Sequence, residues 1–155
     1  MNLVKTVATE LIKEYKIRHF IGGSQRFGYA NGKSDFDMFV LDSNEVVTLL
    51  KENSSFLHVT LCSIYNFSRH YRMIIGGSHI DMIVLSEFQY DRLEKEHLML
   101  QDFIAGQGSE KVIKFIKDLK FLYASISGSS IYRTLLFQMK KHEVYPLLVE
   151  KYNYK

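Results

Sequence analysis

A chain of 155 residues, 46% hydrophobic and 24% charged, can bury the core of one domain and is too mixed in sign to be a disordered segment. Its net charge of +3 permits a phosphate-bearing ligand without demanding nucleic acid. Cys62 is the single cysteine, which excludes an intramolecular disulfide and a cysteine-based zinc site and fits a reducing compartment.

Leu3, Val4, Val7, Ala8, Leu11, Ile12 and Tyr15 recur at helical spacing, with Lys5, Glu10, Lys13 and Glu14 off the stripe. They predict an amphipathic first helix. The same charges interrupt any signal-peptide core, and no run reaches the ~20 apolar residues of a bilayer span. A cytoplasmic protein without a membrane anchor is expected. Residues 17–21 read as a strand that Gly22-Gly23 ends, and Ser24 is placed to cap a short helix over 25–30. Asn31-Gly32 is a turn signal.

Residues 35–41 read as a strand, buried on both faces past Asp37 because Met38, Phe39, Val40 and Leu41 are all apolar. Asp42 with Glu45 suggests a capping box for a helix through Lys51. Strand-like runs follow at 56–63, 71–75 and 79–85. The last two are joined by Gly76-Gly77-Ser78, a loop slightly longer than the tightest hairpin type. Ser86 with Gln89 opens a helical region, with helices predicted over 87–104, 109–125 and 130–143, and Pro146 stops or restarts the last. The expected architecture is α+β: a small mixed sheet flanked by helices over 1–85, then a helical region over 86–155 packed on that core.

Chemistry concentrates at the strand mouths. Residues two apart on a strand point the same way, so Asp35 and Asp37 share a face and repel each other at neutral pH. A divalent cation relieves that repulsion and takes hard oxygen ligands. Asp81 joins them if its strand, which runs into Met82-Ile83-Val84-Leu85 as Asp37 runs into Met38 and Phe39, lies alongside. Three carboxylates can then hold two Mg²⁺ ions, with phosphate oxygens completing the shells. Gly22 and Gly23 let the backbone approach a phosphate. Ser24 adds a hydroxyl, and the helix start behind it adds N–H groups. No Gly-Lys-Ser/Thr follows, so this is not a Walker loop. Arg26 and Lys33 flank the turn as candidate phosphate contacts.

At these residues the chain resembles the DNA polymerase beta-like nucleotidyltransferase superfamily. Gly23-Ser24, Asp35-Phe36-Asp37 after a ten-residue spacer, and Ile80-Asp81-Met82 fill the slots of that family's pattern. Gln25-Arg26-Phe27-Gly28 is similar to its short helix, with Gln25 where Arg or Tyr is frequent and Arg26 as the substitute phosphate contact. The resemblance covers residues 17–85. It implies a nucleoside triphosphate donor, two Mg²⁺ ions (or Mn²⁺), and transfer of a nucleoside monophosphate to a hydroxyl acceptor with pyrophosphate release. On this resemblance Asp35 and Asp37 bridge both metals, and Asp81 holds the catalytic metal and helps deprotonate the acceptor. Gly22, Gly23, Ser24, Arg26 and Lys33 bind the triphosphate. The acceptor is an RNA end, a protein hydroxyl or a small molecule; the oligomeric state is left open.

Two other functions compete. One is a catalytically weak or inactive nucleotide-binding or partner module of the same fold, such as a toxin–antitoxin subunit. The other is a small nucleic-acid-binding protein, resting only on the mild positive charge. His79, two residues before Asp81, shares its face; contact with the acceptor or metal is open to it, with a structural or solvent-facing role the stronger expectation, and Tyr71 and Arg72 on the partner strand stand the same way. His58, Cys62 and His70 form no recognisable metal spacing. Lys111, Lys114, Lys117 and Lys120 read as a solvated helix face opposite the stripe that includes Val112, Phe115, Ile116 and Leu119.

Overall fold

Asn2 starts the first helix, α1 (Leu3–Tyr15). Its side-chain oxygen accepts the Lys5 N–H at 3.1 Å, and Lys16 ends the helix in a left-handed conformation. Val4, Ala8, Leu11 and Ile12 form the buried stripe, as the spacing predicts, whereas Leu3, counted on the same stripe, is exposed. The structure is a computed structural model and describes residues 2–28, 30–59, 69–105 and 139–154. The chain divides into two compact units: Met1–Ser63 with Phe67–Tyr90, and Ile64–Asn66 with Asp91–Lys155.

The first unit continues with β1 (His19–Gly22), α2 (Gly23–Phe27), β2 (Phe36–Leu41), α3 (Asn44–Glu52), β3 (Leu57–His58), β4 (Arg69–Ile75) and β5 (Ser78–Leu85). The strands form one five-stranded sheet in the order β1-β2-β5-β4-β3. Only β2 and β5 are parallel; the other neighbours are antiparallel. This is a mixed α+β fold.

The period of two divides the sheet into unlike faces. Phe36, Met38 and Val40 of β2 and Ile80, Met82 and Val84 of β5 share one core with Val4, Ala8 and Leu11 of α1 and Val46 and Leu49 of α3. Each of these side chains except that of Ala8 contributes about 1.5–3 kcal/mol on burial. The alternate residues, Asp37, Phe39, Asp81 and Ile83, face the other way. There Phe39 stacks on Phe20 at 5.0 Å, and Tyr90 meets Phe20 edge-on at 5.0 Å. Both faces of β2 are therefore covered beyond Asp37, as its apolar run predicts.

Several boundaries differ from the sequence reading. Helix α2 begins at Gly23 rather than Gln25, with Gly22 as its cap residue, so Ser24 lies in the first turn and does not cap it. The helix is stopped by Gly28, whose N–H reaches the Ser24 carbonyl at 3.1 Å. Helix α3 is capped by Ser43, whose hydroxyl accepts the Val46 N–H at 3.3 Å, and not by Asp42. The Asp42 N–H still bonds the Leu85 carbonyl at 2.9 Å, so the sheet holds that residue and the helix starts later. The Asp42 carboxylate instead accepts a bond from Arg69 at 2.7 Å.

The β4–β5 hairpin is tighter than expected. Ile75 pairs with Ser78, so only Gly76-Gly77 connects the strands, and Gly76 supplies the positive φ of +60° at the first turn position. Strand β3 keeps two residues of the predicted 56–63 run, of which 60–63 lie outside the described residues.

Ser86 and Gln89 make the expected capping box at α4 (Glu87–Ala105): the Gln89 N–H donates to the Ser86 hydroxyl at 3.4 Å, and the Ser86 N–H to Gln89 Oε1 at 3.2 Å. Helix α4 starts in the first unit and runs into the second. The second unit also contains α5 (Tyr145–Lys151), with Pro146 in its first turn, so this proline starts a helix rather than ending one. Within that unit Tyr154 donates to the buried Glu96 at 2.9 Å, and Lys151 and Tyr152 both donate to Asp102. The helix predicted over 109–125, most of that over 130–143, the lysines from 111 to 120 and Cys62 lie outside the described residues. Among the described residues no helix is long and apolar enough to cross a membrane.

Candidate functional site

Strand register builds the site. Gly22 pairs with Asp37 across β1–β2, Asp37 with Asp81 across the parallel β2–β5 pair, Asp81 with Arg72 across β5–β4, and Arg72 with Leu57 across β4–β3. These five residues form one row across the whole sheet. Residues directly opposite point to the same face, which here is the face turned away from α1 and α3. The two motif aspartates on strands are thus neighbours by pairing.

The glycine turn enters this row from the side. Gly23 has φ +60°, and a Cβ placed on it would stand 2.2 Å from Asp37 Oδ2. The Asp37 carboxylate occupies the space a side chain would need. Gly23 is therefore required twice, by its backbone conformation and by the close approach of Asp37.

Asp81 is only 7% exposed. Its Oδ1 lies 2.8 Å from His70 Nε2 and 2.9 Å from Arg72 Nε, and its Oδ2 lies 2.9 Å from His79 Nε2. Burial pushes the carboxyl pKa up, but the hydrogen bonds from His70 and Arg72 and the nearby His79 outweigh it and hold it below the usual aspartate value. Asp81 is ionised at neutral pH.

Asp35 stands one residue before β2. Its Oδ1 accepts the His79 backbone N–H at 3.0 Å, and its Oδ2 lies 3.2 Å from His79 Nε2. Ser78 adds a second tie between this loop and β5, donating its hydroxyl to the Lys33 carbonyl at 2.6 Å. Asp35, His79 and Asp81 each place a donor atom within 4.8 Å of the others. Two carboxylates and an imidazole in this geometry fit one divalent cation. Asp37, though paired with Asp81, stands outside that group, over Gly23.

The remaining candidates divide. Gly22 and Gly23 lie on the row, and Ser24 follows in the first turn of α2. The Arg26 guanidinium donates to the Ile21 carbonyl at 3.0 Å, so it folds back on the end of β1. Lys33 has an exposed side chain; its main chain is what is engaged, with its N–H on Asn31 Oδ1 at 2.9 Å. Ser34 caps locally, its hydroxyl accepting the Asn31 N–H at 2.8 Å.

Three further residues surround Asp81. The His79 ring bridges Asp35 and Asp81. His70 and Arg72 grip Asp81 from β4. A two-residue turn at Gly76-Gly77 was the signal available: counted outward from Ile75 and Ser78, it puts Arg72 opposite Asp81. A loop one residue longer puts Met73 there and turns the other face of β4 toward the site.

A scan against protein-family models finds no matching family, and a search of curated proteins finds no relative.

Proposed function

We propose that this protein is a divalent-metal-dependent nucleotidyltransferase of the DNA polymerase beta-like kind. It moves a nucleoside monophosphate from a nucleoside triphosphate to a hydroxyl acceptor and releases pyrophosphate. The observation that carries the reading is the row Gly22–Asp37–Asp81, with Gly23 directly under the Asp37 carboxylate. A turn suited to phosphate and two paired carboxylates then meet at one end of a mixed sheet whose helices α1 and α3 pack on the opposite face.

A divalent ion at Asp35 and Asp81, next to Asp37, would neutralise triphosphate charge and lower the pKa of an acceptor hydroxyl. The chain's own residues supply position. Gly23 admits phosphate close to the main chain, and Ser24 offers a hydroxyl. Helix α2 has five residues, so its dipole adds little, and phosphate contact rests on the Gly23-Ser24 turn. His70 and Arg72 keep Asp81 ionised and fix its orientation. The chemistry is in-line attack on the α-phosphorus, promoted by alignment and charge neutralisation. The acceptor is an RNA end, a protein hydroxyl or a small hydroxylated molecule.

One observation favours a second reading, a nucleotide-binding or partner module of low activity. Asp81 Oδ1 is already engaged by His70 and Arg72, and its Oδ2 lies 2.9 Å from His79 Nε2. The test incubates the purified protein with Mg²⁺ or Mn²⁺ and each α-labelled nucleoside triphosphate, and measures pyrophosphate release and label transfer. Transfer that disappears in Asp37→Asn supports the transferase. Transfer that persists in Asp37→Asn rules out this site. Metal-dependent nucleotide binding without turnover selects the second reading.

A further inference from the structure

The superfamily resemblance implies carboxylates alone as metal ligands, whereas the converging donor set contains a histidine and leaves Asp37 aside. We infer that Asp35, His79 and Asp81 form a centre for one first-row transition-metal ion, with the His79 imidazole as a ligand, and that this centre prefers such an ion to Mg²⁺. The inference concerns the same site as the transferase reading and shares its premise that Asp35 and Asp81 hold a cation.

Geometry is the first support. His79 Nε2 lies 3.2 Å from Asp35 Oδ2 and 2.9 Å from Asp81 Oδ2. Ligands at right angles on bonds of about 2.1 Å lie roughly 3.0 Å apart. The imidazole nitrogen already stands at that spacing from an oxygen of each carboxylate, and the donor atoms of all three residues lie within 4.8 Å of one another.

Orientation is the second. The other oxygen of each carboxylate is held by a separate donor: Asp35 Oδ1 by the His79 backbone N–H, and Asp81 Oδ1 by His70 and Arg72. Only the Oδ2 atoms face Nε2. Outer hydrogen bonds of this kind fix carboxylate ligands and are what a metal centre needs around it. The Asp35 and His79 side chains are 42% and 26% exposed, so the outward side remains open to water or a phosphate oxygen.

Ligand chemistry decides the ion. Mg²⁺ takes oxygen ligands and gives up water reluctantly. An imidazole nitrogen shifts preference to transition metals, with affinity rising from Mn²⁺ toward Cu²⁺ and Zn²⁺. Two carboxylates and one imidazole therefore favour Mn²⁺, Fe²⁺, Co²⁺ or Zn²⁺.

The test needs no turnover. Full-length protein stripped of metal is titrated with Co²⁺ by visible absorption and with Mn²⁺ by electron paramagnetic resonance, without nucleotide. Expected is one equivalent bound, resisting a roughly hundredfold excess of Mg²⁺. His79→Ala, His79→Gln and Asp35→Asn should each weaken Co²⁺ binding by about tenfold or more, while far-UV circular dichroism stays that of the wild type. Three variants at partly exposed side chains guard against the loss of any one to misfolding. Co²⁺ affinity within about threefold of wild type in both His79 variants, or displacement by equimolar Mg²⁺, overturns the inference. The two readings fail separately. Co²⁺ bound through His79 without turnover of any triphosphate keeps the centre and removes the transferase. Mg²⁺-supported turnover with His79-independent metal binding does the reverse.

Discussion

Gly23→Ala tests the contact on which the site is built. The backbone there has φ +60°, and an L-residue in the left-handed region costs about 1–2 kcal/mol. The new methyl would stand 2.2 Å from Asp37 Oδ2 and 3.3 Å from its Cγ. Unstrained contact needs about 3.5 Å, so the carboxylate must turn away by about 1 Å or more. Forcing it off its rotamer adds about 0.5–1.5 kcal/mol. Gly28→Ala is the matched control, because Gly28 has φ +83° and nothing within 4 Å of an added Cβ. Urea denaturation should show both variants destabilised, Gly23→Ala by the larger amount. Label transfer should survive in Gly28→Ala and fall by about 10²-fold in Gly23→Ala, the scale of a 1 Å misplacement of a reacting group. Equal stability and equal label transfer in the two variants would refute the placement of Asp37 over Gly23.

Acid stability reports on Asp81. Its pKa is lowered on folding, so its contribution is complete above the unfolded value of about 3.9 and is lost as pH falls through the lower folded value. The stability difference between wild type and Asp81→Asn should shrink as pH drops from about 5 toward 2; a difference that stays constant with pH contradicts the assignment. Met38→Ala removes a side chain with no exposure from the face packed on α1 and α3, and should cost about 2–5 kcal/mol in denaturant titration. A cost under about 1 kcal/mol would mean that face is loosely packed. Asn2→Ala loses both the cap on Lys5 and the side-chain bonds to the Asn31 and Ser34 carbonyls, for about 0.5–2 kcal/mol. Asn2→Asp keeps the cap acceptor, so its thermal unfolding should lie nearer the wild type.

How far the sequence discloses this fold depends on whether local pattern or pairing decides the element. Helix α1 and the runs of β2 and β5 follow from periodicity, because each buries a face that its own spacing defines. The capping box at Ser86 is local too, and it forms. Asp42 has the same local signal and does not cap, because its N–H is taken by the Leu85 carbonyl, a partner in another strand. The site behaves likewise. Asp35, Asp37, Asp81 and the glycine turn stand out as motifs. His70 does not, and Arg72 is left undecided beside Tyr71, because their place comes from hairpin register, which a one-residue difference in turn length reverses. His79 is visible by spacing, but its bridge to Asp35 requires that β5 begin beside the loop leading into β2.

The same pairing ties folding to chemistry unequally among the aspartates. Asp81 is buried and serves as acceptor for two residues of β4, so Asp81→Asn disturbs a buried hydrogen-bond network as well as the proposed metal centre. Losing partners in such a network costs about 1–3 kcal/mol before any effect on activity. Asp37 is half-buried, with its carboxylate beside Gly23, and the unfolding midpoint of Asp37→Asn reads directly what its substitution costs in stability. A loss of label transfer in Asp81→Asn would therefore mix stability with function. The same loss in Asp37→Asn, at unchanged unfolding midpoint, assigns the effect to the carboxylate charge. Asp37 is the residue at which the transferase reading is most cleanly exposed to failure.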